Sequence, residues 1–523
     1  MTLGRTPAHK DLFRSTKDYC GEDLSPTSLY ALLYRDGDRL FADDTFADLF
    51  DDVGRCCVPP RVVATTMVLQ RVEGLSDREA VERFKYDLRW KYAAGGLDFN
   101  YPGFVHTVLV DMRARLRNSK RADRVFEAAL EVAKEAGLIG RKRVIDSTAL
   151  YDAVATQDTV TMIRAAIRGL LRVADEALGV DLRSELKRDD DYATAGKPVC
   201  DWEDKQARDA LVDALARDAQ ALLLKLEGRE LSAPVQEAAT LVATVVGQDL
   251  EQREDGVFRI ARRVAPDRVI STVDVEARHG HKTAAHSFDG YKGHIAVDPD
   301  SEIIVQTEVT PGNTGDAVVT DKLLADVLNR APAENKAAGV EAYGDCSYGT
   351  ADNVEILEAA GIEANVKVQA PSAPKGKYSK EEFAIDTESG TVRCPAGHVV
   401  QIKPSKDGGG AAEFGAVCAG CPLREKCTGA KEGRSISIHP KEATLQKARN
   451  RQKSPEWKAK YRSTRPKVER KFGHLMLRRH GGRRARVRGC ARVGQDFALL
   501  GAAINLKRLA ALGVHHTAAG WTA

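Results

Sequence analysis

Two apolar runs in this chain stop on an aspartate: Arg143-Val-Ile-Asp146-Ser-Thr and Glu341-Ala-Tyr-Gly-Asp345. Each is too short for an amphipathic helix, so each reads as a buried strand that delivers a carboxylate at its end. Between them Tyr291–Asp298 and Ile303–Val309 read as a hairpin, after weaker strand signals at Arg268–Val275. Pro311–Gly315 is a turn, and Asp316–Leu328 reads as a helix. Ala351–Ala360 reads as another helix and Ile362–Val368 as a further strand. Strands interleaved with helices in this order call for a mixed α/β sheet covered by helices.

The remaining length must fold around that sheet. At 523 residues, more than one core is expected. Residues 1–58 read as an N-terminal helical region. Residues 59–138 read as a helical DNA-binding domain. Val62–Val72 forms a helix closed by Gly74, and Ser76-Asp-Arg-Glu79 is a capping box for the next, a helix-turn-helix-like pair. Residues 139–158 begin the sheet core and 159–258 form a helical insertion, with Ile163, Ile167, Leu170 and Leu171 at helical spacing. The core continues over 259–370, followed by a Cys-rich insertion (371–440), a basic segment with a packing helix (441–512) and a tail (513–523). The apolar stretch Phe497–Leu512 is interrupted by Asn505, Lys507 and Arg508, too short and charged to span a bilayer. Met1–Phe13 lacks the apolar centre of a signal peptide, so a cytoplasmic protein with no membrane partner is expected.

A third acid, Glu469, lies on a basic helical stretch starting at Arg465-Pro-Lys-Val. Two strand-end carboxylates and one on a late helix suit two divalent ions, Mg2+ or Mn2+, of the kind that cut and rejoin phosphodiesters. Asp146, on the central strand, would bridge the ions, with Asp345 and Glu469 completing their shells. A lone Asp at a strand end is most often a turn former. It is the combination, with Ser147, Thr148, Cys346 and Ser347 alongside, that marks a site. Of the competing acids, Asp316 reads as a helix N-cap and Asp298 as part of a hairpin turn. Asp152 is a third competitor.

Charge is unevenly spread. The chain carries a net +4, yet Lys441–Arg488 holds eighteen Lys or Arg against three acids. Such a block suits a polyanion. Its end, with Arg478, Arg479, Arg483, Arg484, Arg486 and Arg488 among glycines, suits phosphate neutralisation without sequence reading.

Taken in order, these motifs resemble those of bacterial insertion-sequence transposases with a DDE catalytic domain. Ile-Asp146-Ser-Thr looks like the first-Asp motif, and Gly-Asp345-Cys-Ser-Tyr-Gly like the second. Tyr461, Arg465 and Glu469 look like a tyrosine–arginine–glutamate–lysine signature. Tyr461 stands one residue farther from Arg465 than usual, and Met476 occupies the lysine position, with Arg478 the nearest base beyond it. Leu75–Val81 and Tyr86–Lys91 are similar to the N-terminal helical domain of such proteins, and Phe288–His294 and Val309–Asn313 also fit. The resemblance implies a ribonuclease H-like core, cleavage at element ends and strand transfer into target DNA. It also implies double-stranded DNA as partner, a homodimer in the active complex, and Arg465 on a phosphate. Lys292, His294, Tyr461 and Lys471 join the expected DNA contacts. The alternatives are a ribonuclease H-like nuclease without strand transfer and a DNA-binding regulator.

Cys418-x-x-Cys421-x5-Cys427, with Cys394-x3-His398 upstream, offers five ligands for a structural Zn2+. An iron–sulfur centre or metal-free thiols are the alternatives.

Overall fold

In the computed structural model, residues 1, 2, 5, 15–153, 156–190, 192–283, 286–373 and 376–523 are described. Most of Met1–Phe13, and residues 374 and 375 of the Cys-rich insertion, lie outside them. Val144 and Ile145 are both fully buried but belong to different cores. They alternate on β1 (Lys142–Tyr151), the centre of a six-stranded mixed sheet. The other strands are β2 (Arg278–Thr283), β3 (His286–Val297), β4 (Ile304–Pro311), β5 (Glu341–Gly344) and β6 (Glu363–Val366). β1 runs antiparallel to β3, from Val144 opposite Val297 to Tyr151 opposite Gly290. On its other side β1 runs parallel to β5, and β5 parallel to β6. β2 and β4 pair with β3 end to end. The sheet is mixed, as the interleaving of strands and helices called for.

Three local expectations need correction. β1 does not end at Asp146 but continues to Tyr151, because β3 supplies partners from Val144 to Tyr151. Arg268–Val275 is not a strand; only Val269 bridges, to Arg278, and the edge strand starts at Arg278. Asp316–Leu328 is broken into a 3-10 turn and two short helices.

The N-terminal part contributes α1 (Leu29–Leu40), α2 (Pro60–Glu73), α3 (Asp77–Tyr86), α4 (Thr107–Asn118) and α5 (Arg124–Glu135). Between β1 and β2 come α6 (Thr159–Val173), α7 (Lys205–Leu226) and α8 (Ala233–Asp249). α9 (Ala351–Ala359) joins β5 to β6. After the cysteine region follow α10 (Glu442–Gln452), α11 (Pro455–Thr464), α12 (Pro466–Leu475) and α13 (Cys490–Ala511).

α13 and the N-terminal helices fill one core with Val144, Ile295 and Tyr343 of the sheet. The other face packs Ile145, Ala296 and Ala342 against Leu323, Leu357 and Ala448. The helices α6–α8 hold a separate core. Residues 384–438 form two three-stranded sheets around Phe383, Val392, Phe414, Cys427 and Ile436. Among the described residues no helix is long and apolar enough to cross a membrane.

The capping box forms as read: Glu79 N–H donates to Ser76 Oγ (3.3 Å) and Ser76 N–H to Glu79 Oε2 (2.7 Å). α2 is buried from Pro60 to Arg71, which explains its nearly unbroken run of non-acidic residues. α3 exposes a mixed face of Arg78, Glu79, Glu82, Arg83 and Lys85.

Candidate active site

Asp146 and Asp345 come to adjacent positions because β1 and β5 are parallel neighbours. Val144 pairs with Tyr343, so two residues farther along each chain stand the two carboxylates. Asp146 Oδ1 accepts the Ser147 N–H at 2.8 Å, and Asp345 Oδ1 accepts the Ser347 N–H at 2.9 Å. Burial raises the Asp146 pKa to about 6 against the opposing pull of Arg465, and the negative charge of Asp345 adds to the rise.

Glu469 arrives on α12, whose Val468, Phe472 and Leu475 are buried at helical spacing. Its carboxylate lies at the solvent-facing side, 67% exposed. Pro466 has no N–H to donate and opens α12, so Arg465 sits at the junction of two helices. The Arg465 side chain turns inward. One terminal nitrogen lies 3.0 Å from Asp146 Oδ2 and the other 3.4 Å from Glu469 Oε1. Burial would lower the Arg465 pKa, but Asp146, Tyr461, Asp345 and Glu469 together raise it. Tyr461 stacks on Trp457 and donates its hydroxyl to the Gly344 carbonyl (3.1 Å), fixing α11 to the end of β5. One guanidinium therefore contacts Asp146 and Glu469 and feels the charge of Asp345.

Asp316 does not cap a helix. Its carboxylate accepts Ser147 Oγ–H (2.7 Å) and Lys292 Nζ–H (2.8 Å) on the opposite face of β1 from Asp146. Sequence reasoning named it as a competing acid but set it aside as a helix N-cap, because the turn before it suggested a purely local role. Tyr348 is buried between the two groups. Burial first, then Asp316, Asp146 and Asp345, push its hydroxyl pKa well above the usual value.

Two expected DNA contacts are corrected by burial. His294 is fully buried, with its ring nitrogens 3.1 Å from Tyr348 Oη and 2.9 Å from Thr310 Oγ1. Lys471 is 2% exposed and faces Glu302 at 3.8 Å; both residues serve the core. Lys292 is half-buried and committed to Asp316.

The basic block is less free than its composition suggests. Lys441 pairs with Asp352 and Glu355, Lys447 and Arg451 with Glu358, Lys460 with Glu363, Lys467 with Asp300 and Arg470 with Glu302. Arg478, Arg479, Arg484 and Arg488 stay exposed, with no carboxylate partner among the described residues. Arg483 and Arg486 are half-buried, and Arg486 donates to the Leu75 carbonyl. This loop is tied to β1: Tyr151 N–H donates to Arg483 O (2.7 Å), and Ala485 N–H donates to Tyr151 O (2.8 Å). The arginine loop therefore lies alongside the end of the strand that carries Asp146.

Among the described residues no group of three or more His, Cys, Asp or Glu side chains is spaced to hold a metal ion. At the acid cluster the donor chemistry suits a hard cation, and Arg465 stands between Asp146 and Glu469. Cys394, His398, Cys418, Cys421 and Cys427 line one small pocket, and the cysteines are free thiols. Cys427 is buried in the apolar centre of that region, where a thiol packs as a small hydrophobe, and Cys394 and Cys418 pack beside it. The zinc expectation finds no support in this geometry.

Residues 393–510 match the family described as the transposase DDE domain, and residues 27–115 match the transposase domain family DUF772. The first match takes in Arg465, Glu469 and α13 but begins beyond Asp146 and Asp345. The second takes in α1 to α3 and most of α4. No curated protein and no solved structure matches the chain.

Proposed function

We propose that this chain, an insertion-sequence transposase with a DDE domain and an N-terminal transposase domain, cleaves DNA at the ends of its mobile element and joins the freed strand to target DNA. The observation that carries the reading is the adjacent placing of Asp146 and Asp345 by parallel strands, with Arg465 linking Asp146 to Glu469. Divalent Mg2+ or Mn2+ held by these carboxylates would supply Lewis-acid activation of the attacking oxygen and stabilisation of the leaving one. The chain's own residues do the rest. Asp146 and Asp345 give hard oxygen donors on a rigid sheet, and the fork of Arg465 suits a phosphate. Arg478, Arg479, Arg484 and Arg488 hold the backbone alongside. Water attack at the element end leaves a 3′-hydroxyl, which then attacks a target phosphodiester, so each bond broken is replaced by one formed. Two ends must be brought together, and a homodimer acting on DNA in the cytoplasm is the form that does this.

The test is incubation of the full chain with Mn2+, a duplex carrying its element's end and a supercoiled target plasmid. Cleaved ends and joined products are expected for the wild type. D146N and D345N should lose both while still binding DNA. Nicking without joined products assigns a nuclease instead, and cleavage that survives D146N removes the site.

A further inference from the structure

The acid cluster already contains a cation, and it is part of the chain. We propose that Arg465 is the resident counter-ion of this cluster, and that a DNA phosphate draws it away so that DNA and divalent cations load together. The proposal rests on the active-site reading above.

Three observations support it. The guanidinium bridges Asp146 and Glu469 at 3.0 and 3.4 Å, where a divalent ion bound by the same oxygens would be repelled by its positive charge. Arg465 Nε is buried with no hydrogen-bond partner among the described residues, although the residue is only 6% exposed. The carboxylates thus leave one edge of the fork unsatisfied, and that edge gains by meeting a phosphate oxygen. Finally, the Glu469 end of the bridge opens to solvent, whereas the Asp146 end is 14% exposed. A phosphate approaching past Glu469 meets the guanidinium first. The backbone need not move, because Arg465 keeps its N–H bond to Tyr461 O at 2.9 Å.

If one group blocks the cation and binds the phosphate, each ligand raises the affinity of the other by the same factor. The experiment measures Mn2+ binding to the full chain from the paramagnetic resonance of the free ion. It is run with and without a duplex of arbitrary sequence, subtracting the Mn2+ held by the duplex alone. For the wild type, the duplex should tighten Mn2+ binding about tenfold. R465Q should bind Mn2+ about tenfold more tightly than wild type without DNA, and lose most of the duplex effect. R465K, which keeps the charge, should behave as wild type. Equal Mn2+ affinity for R465Q and wild type without DNA overturns the proposal, as does a duplex effect that survives in R465Q. Should R465Q fail to fold, absence of duplex tightening in the wild type and R465K overturns it equally. The double variant D146N/R465Q separates this idea from the one beneath it. Loss of tight Mn2+ binding there keeps Asp146 as a cation ligand whatever R465Q alone does, and retention removes the active-site reading itself.

Discussion

Lys471 and Arg484 belong to the same basic segment and have opposite surroundings. Arg484 is exposed beside the end of β1, and Lys471 is enclosed beside Glu302. Only a base that meets a phosphate releases counter-ions, so R484A should flatten the logarithmic salt dependence of DNA binding by about 0.9. K471M should leave that slope unchanged, and equal slopes for R484A and wild type would remove Arg484 from the DNA path. His294 makes a parallel case through pH. Burial first, with Lys292 helping and Asp316 opposing, lowers its pKa to about 4. An unfolded imidazole titrates near 6.5, so neutral His294 contributes stability above that pH, and the contribution is lost as pH falls towards 4. Urea unfolding should show the stability gap between wild type and H294Q narrowing from pH 7 to pH 4.5. A gap that widens would mean the imidazole is charged in the fold.

Gly74 shows how an element's punctuation is reused. It ends α2 at φ 69°, and a Cβ there would run into the Arg479 carbonyl of the arginine loop. G74A should therefore cost about 1–3 kcal/mol and loosen the loop as well. S76A, which removes only the cap, should cost about 1 kcal/mol. Thermal melts decide between them, and equal costs would mean that the loop contact does not matter. Gly74 and the capping box were legible because their chemistry is local. The course of β1 was not. Ser147 and Thr148 look like the end of a buried run, yet Thr148 is 4% exposed and Ser147 is matched by Asp316, far along the chain. The same distance hid Asp316, whose neighbours in sequence describe a turn and whose partners in space are Ser147 and Lys292.

At the scale of the molecule, the boundary drawn near residue 138 does not separate two cores. Met67, Leu109 and Phe126 share one apolar cluster with Tyr291 of the sheet and Leu506 of α13. A chain truncated after Gly489 should therefore lose cooperative unfolding in its N-terminal half as well as in the sheet, and a sharp transition retained by residues 1–138 alone would show they fold independently. The charge asymmetry was legible as a count, but not as a surface. Acids on β6, α9 and the β3–β4 turn take up many of the bases, and only the folded chain shows which remain exposed. What remains includes Lys458 and Arg462 on α11 and the arginines of the loop that pairs alongside Tyr151 at the end of β1, the strand that carries Asp146. The most direct test of the account is diffraction at the manganese edge from crystals of the full chain bound to DNA and soaked in Mn2+. The account expects anomalous density bounded by Asp146, Asp345 and Glu469, with Arg465 turned onto a phosphate. Density elsewhere, with those three carboxylates empty, would contradict it.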